Sequence, residues 1–228
     1  MLTHRVIVGS MFTNTYIVAT GKKECLLIDP GAEGATIVKR LEVLNLAPKA
    51  IVFTHGHIDH TSATATILHH YAQRGHEIPL GIHQEDQPFL GSDAGHRNRE
   101  LFSHLGDAAL EAFETFDQEV PEAAFSFTEG DHILETDLIV LHTPGHSPGS
   151  SCFYSEPRGV LFTGDTLFFN TIGRTDLPGG NQDQVLHAVT ERLFELPPDT
   201  RVFPGHGPLT TIEREAQNNP LESKGATI

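Results

Sequence analysis

Cysteine, basic residues and long apolar runs are all scarce in this chain. Its 228 residues include two cysteines, Cys25 and Cys152. Both sit in strand-like apolar runs with neither metal nor redox spacing, so they read as buried small residues in a reducing compartment. Lysine and arginine total 15 against 30 acidic residues, a net charge of −15. Nucleic-acid binding relies on basic side chains neutralising phosphates, so this balance argues against a nucleic-acid partner. No segment approaches the apolar length needed to cross a bilayer. Met1 to Gly9 has neither the charged nor the apolar part of a signal peptide, and the expectation is a cytoplasmic protein without a membrane partner. There is no serine elbow and no cysteine nucleophile motif, so covalent catalysis has no candidate.

Histidine is plentiful, at 15 residues. The densest group is Thr54-His55-Gly56-His57-Ile58-Asp59-His60. Before it, Ala50-Ile51-Val52-Phe53 is apolar and β-branched, which reads as a buried strand. His55 and His57, two apart on extended backbone, leave the chain on the same side. Asp59 and His60 open a helix expected from about His60 to Arg74. Aspartate is a common N-cap, but capping does not account for three neighbouring histidines. His146 follows in Thr-Pro-Gly-His-Ser-Pro-Gly, Asp165 in Thr-Gly-Asp-Thr, and His206 in Pro-Gly-His-Gly-Pro. Asp165 and His206 each follow a short apolar strand, where a carboxylate has two oxygens with which to bridge cations. Imidazole and carboxylate together suit zinc or iron. The set predicts a hydrolytic centre with two metals.

The remaining histidines lack such context, with one exception. His142 closes the strand-like run Leu138 to Leu141, four residues before His146, and the residues alone do not choose between the two. Asp29, in Leu27-Ile28-Asp29-Pro30, reads either as support for a ligand imidazole or as a turn residue at a strand end.

Strands are expected near residues 6–8, 15–19, 25–29, 50–53, 138–142, 150–154, 160–163 and 201–203. Helices are expected near 33–45, 60–74 and 182–196. This is a mixed α/β pattern, most simply one domain spanning 1–228. Residues 84–122 form an excursion with helical periodicity from Asn98 to Phe116. It reads equally as a lid or binding loop and as a dimer contact or surface packing.

The combined motifs, from about Ile28 to His206, resemble those of the metallo-β-lactamase superfamily. The resemblance implies an α/β fold of αββα sandwich type, with metals where the loops of the two sheets meet. It implies His55, His57 and His146 on a first metal, Asp59, His60 and His206 on a second, and Asp165 bridging. It selects His146 over His142. It further implies two divalent ions, zinc foremost with iron or manganese as alternatives. The resemblance also implies Asp59 and Asp165 as catalytic aspartates, with metal-bound hydroxide as nucleophile.

Within that superfamily, Thr163 to Phe168, Gly173 to Gly180 and His206 to Thr211 resemble short glyoxalase II-like proteins. This implies hydrolysis of a small-molecule thioester, with Arg174 as a substrate contact. Only 22 residues follow His206, too few for glyoxalase II's glutathione-binding helical domain, and its tyrosine position is Pro208 here. Thioester hydrolysis is therefore expected more firmly than glutathione specificity. Asp165 argues against antibiotic hydrolysis. The alternatives are a persulfide dioxygenase with one iron on His55, His146 and Asp165, a lactonase, and a non-catalytic metal-binding module. An oligomer is left open.

Overall fold

The computed structural model describes residues 2–117 and 119–222. Six strands form one sheet in chain order: β1 (Thr3–Val8), β2 (Thr13–Ala19), β3 (Glu24–Ile28), β4 (Ala47–Val52), β5 (Leu80–His83) and β6 (Phe125–Phe127). The first three are antiparallel, and β3 to β6 run parallel. A second sheet contains β7 (Ile139–His142), β8 (Ser151–Ser155) and β9 (Val160–Gly164), with β10 (Leu167–Phe168) and β11 (Thr171–Ile172) leaving it as a separate hairpin. It is completed by β12 (Arg201–Pro204) and β13 (Thr210–Thr211), in the spatial order β13-β12-β9-β8-β7.

Side-chain alternation builds the layers. In β3, Leu26 and Ile28 enter the core between the sheets, while Cys25 and Leu27 face the opposite way. In the same way, β9 sends Val160 and Phe162 inward and Leu161 outward. Central strands buried on both faces read as continuous apolar runs, which is why the sequence showed them clearly. Outside the first sheet lie α1 (Gly34–Leu44), α2 (Ile58–Thr61), α3 (Thr64–Ala72), α4 (Ala94–Ser103) and α5 (Asp107–Phe113). Outside the second lie α6 (Gln182–Ala188) and α7 (Ile212–Asn218). The result is the expected αββα sandwich. Cys25 and Cys152 are buried free thiols, and burial pushes them up to about 12 and about 11 respectively.

The helix expected from His60 to Arg74 begins earlier and breaks. At the break, the Ala63 amide donates to Pro30 O (3.0 Å). The expected 182–196 helix is α only to Ala188 and continues as a π turn over Val189–Leu193. Among the described residues the helical periodicity of the excursion resolves into two α-helices, separated at Gly106 (φ 91°) and preceded by two short 3-10 turns. Its strands β5 and β6 flank it and went unread, since they are only four and three residues long. Among the described residues, no helix is long and apolar enough to cross a membrane.

Candidate metal centre

Five strand ends converge at one edge of the sandwich. Past β3 comes Asp29; past β4 come His55, His57, Asp59 and His60; past β7, β9 and β12 come His146, Asp165 and His206. The sheets are stitched together here. Asn14 at the start of β2 donates its side-chain amide to Pro204 O (2.9 Å) and Gly207 O (2.9 Å), and Ser151 N donates to Thr54 O (2.9 Å). Gly205 lets the backbone pass against Asp165 and His60, where a Cβ would collide with both.

Three groups of side chains have ligand atoms all within 4.8 Å of one another: His55-His57-His146, His55-His60-Asp165 and Asp59-His60-His206. Asp165 lies between the outer two groups. Its Oδ2 is 3.6 Å from His146 Nε2 and 3.5 Å from His206 Nε2, and its Oδ1 is 3.3 Å from His60 Nε2. Asp59 Oδ2 is 3.2 Å from His206 Nε2 and 3.4 Å from His60 Nε2. His57 Nδ1 faces His146 Nε2 at 3.0 Å.

The hydrogen bonds behind the cluster set the tautomers. The Thr54 hydroxyl donates to Asp29 Oδ2 (2.6 Å), so the His55 Nδ1–H donates to Thr54 Oγ1 (3.1 Å). His60 Nδ1–H donates to Asp29 Oδ2 (3.1 Å), His146 Nδ1–H to Arg174 O (2.9 Å) and His206 Nδ1–H to Met11 O (3.0 Å). Each of these four imidazoles therefore turns its Nε2 inward. His55 Nε2, His57 Nε2 and Asp165 Oδ1 are buried without a hydrogen-bond partner. Buried polar atoms are ordinarily satisfied, so converging orphaned donor atoms fit a cation-binding site.

Electrostatics divide the cluster. Burial, then the neighbouring His146, pushes His57 down to about 3. Burial acts the same way on His206, but the carboxylates of Asp165 and Asp59 outweigh it and hold the ring up at about 10. Burial would raise Asp59, yet His60 and His206 bring it down to about 2, so it remains ionised.

Asp59 is not a cap, since it lies inside α2, whose N-cap residue is His57. His142 stands outside the cluster: its ring stacks on His83 (centroids 4.0 Å) and its Nε2–H donates to Pro148 O (2.9 Å). Arg174 borders the site, but its guanidinium is bidentate to Asp176 (2.8 and 2.9 Å).

Two supporting residues had no signal in the sequence. Asp86, fully buried after β5, accepts from Gly56 N (2.9 Å), Gly149 N (2.7 Å) and Ser147 Oγ (2.7 Å), joining the loops of His55–His57 and His146. Asn98 on α4 accepts from Ile58 N (2.8 Å), an orphan donor of the first turn of α2. The excursion thus braces the helix that carries Asp59 and His60.

A two-sheet sandwich with histidines and aspartates gathered at its strand ends defines a protein of the metallo-hydrolase class. Residues 8–206 match the metallo-beta-lactamase superfamily, and the chain belongs to it. It is 36% identical to the probable metallo-hydrolase YqgX of Bacillus subtilis, over 97% of each chain. It is 34% identical to the hydroxyacylglutathione hydrolase GloC of Haemophilus influenzae, over 92% of this chain and 93% of that one. Among solved structures it resembles the BLEG-1 B3 metallo-beta-lactamase (32% identity, TM-score 0.82, 96% and 98% coverage). It also resembles TTHA1623 in a di-iron-bound form (34% identity, TM-score 0.80, 95% and 98% coverage).

Proposed function

We propose that this metallo-hydrolase is a thioesterase acting on glutathione thioesters such as S-lactoylglutathione. The observation that carries the reading is the position of Asp165 between two groups of histidines, which suits two cations sharing one carboxylate. His55, His57 and His146 would hold one, and Asp59, His60 and His206 the other, zinc being the leading candidate. Divalent cations supply Lewis acidity, polarising a carbonyl and lowering the pKa of water from 15.7 to roughly 7. The chain's own part is positioning. Anchored Nδ1–H groups fix the ring orientations, and the ionised Asp59 at the cavity floor can accept a hydrogen bond from an attacking water. Arg174 contributes a cation to the wall, already shared with Asp176. The likeness to GloC supports the thioester class.

A second reading, β-lactam hydrolysis, rests on the likeness to the B3 enzyme and runs against the expectation drawn from Asp165. The test is hydrolysis of S-lactoylglutathione by metal-analysed protein, with and without chelator, beside nitrocefin and a persulfide. Chelator-sensitive thioester turnover supports the proposal. Nitrocefin turnover alone moves the protein to the second reading. Stoichiometric iron with persulfide-dependent oxygen uptake replaces both with the dioxygenase.

A further inference from the structure

The cavity above the cluster has a volume of about 390 Å³ and a polar floor that includes His57, Asp59, Asp165 and His206. Its walls are of another kind. Leu101 and Leu105 come from α4 and the turn after it, Phe168 and Phe169 from the β10 hairpin, and Met11 and Phe12 from the turn before β2. Among the described lining residues Arg174 is the only lysine or arginine, and Asp176 already neutralises it.

Two aromatics at the wall are held ready rather than buried. Phe12 is 69% exposed at φ 55°, a backbone conformation a bulky residue rarely takes without an external constraint. Phe169 is 36% exposed, and the Arg214 guanidinium lies 3.7 Å from its ring centroid, which fixes the ring in place. Ligand sites typically pair apolar walls with a few directing polar groups. Here the directing groups are at the floor, where a carbonyl would sit, and the walls offer little to a second charge.

Resting on the thioesterase reading, we infer that the site selects a thioester whose acyl half is an apolar chain, seated between α4 and the β10 hairpin beneath Phe12. S-lactoylglutathione remains a substrate on this reading, but its short hydroxyacyl group leaves these walls unused. Among the described residues lining the cavity, glutathione's carboxylates find one lysine or arginine, and it is already paired. The specificity therefore lies in the acyl group.

The test measures kcat/KM for a series of glutathione thioesters (lactoyl, acetyl, butyryl and hexanoyl) on the metal-loaded protein. Calorimetric binding of hexanoate against acetate is measured in parallel. Each buried methylene is expected to raise kcat/KM about fourfold, from ~0.8 kcal/mol per CH₂ at 1.36 kcal/mol per tenfold. Phe12→Asn, which suits a left-handed backbone, and Phe169→Ser should each lower the hexanoyl-to-lactoyl ratio severalfold. A flat series, or lactoyl preferred, overturns the inference and leaves the thioesterase reading intact. If no thioester turns over, that reading fails instead. Tighter binding of hexanoate than acetate then supports the apolar acyl site, and equal binding overturns it.

Discussion

Asp29 and Asp86 are both buried carboxylates behind the same cluster, yet they grip different things. Asp29 reaches the rings: it accepts from the His60 imidazole directly and from His55 through the Thr54 hydroxyl, besides one backbone amide, Thr54 N (2.8 Å). Asp86 touches no ring and accepts from two backbone amides and a serine hydroxyl, shaping the loops on which His55, His57 and His146 ride. An anionic acceptor on Nδ1–H makes the opposite nitrogen a better donor to a cation. A carboxylate bonded to backbone N–H groups contributes shape and local stability. One support acts chiefly on imidazole rings and the other on the backbone of the loops that carry them.

The largest effect should come from the carboxylate between the two groups of histidines. Asp165→Ala should lower kcat by more than about a hundredfold, beyond the 10–100-fold typical of groups behind a ligand, with an unchanged circular dichroism spectrum. Metal analysis should fall below two ions per chain, and undiminished turnover would defeat the two-metal arrangement. Next, Asp29→Asn should weaken cation affinity or activity about 10–100-fold in a chelator-competition titration. Asp29 has φ 51°, a conformation asparagine tolerates, so backbone strain should not confuse the result.

Asp86→Asn puts an amide donor among donors. It should cost about 1–3 kcal/mol, or roughly 2–12 °C of Tm, with a smaller loss of cation affinity than Asp29→Asn. The reverse ranking of affinities would break the comparison. The smallest effect concerns His83, three residues before Asp86. Burial and the stacked His142 push it down to about 4, against the opposing influence of Glu85, Glu129 and Asp131. Because the folded value lies below the unfolded 6.5, its stabilising contribution is complete above pH 6.5 and is lost as pH falls toward 4. His83→Phe should therefore flatten the decline in Tm across that window, and an identical slope would remove His83 as its source.

These two supports also show what a sequence conceals. His55, His57, Asp59 and His60 are legible because their spacing lies within a single strand end. The central strands are legible because burial on both faces writes a continuous apolar run. Asp86 is illegible because its partners lie 30, 61 and 63 residues away, and nothing beside it in the chain announces them. The choice between His142 and His146 is tertiary as well, since the Arg174 carbonyl that orients His146 lies 28 residues further on. The α2–α3 break depends on the Pro30 carbonyl diverting the Ala63 amide.

His206 takes its anchor from Met11, 195 residues earlier, and Asn14 reaches forward 190 residues to Pro204. At about 5–20 residues per second, the ribosome needs roughly 10–40 s to make what lies between. Within that interval the segment bearing His55 to His60 is made well before β7, β9 and β12, which bring His146, Asp165 and His206. The complete cluster therefore cannot close before His206 has been made, long after its first histidines.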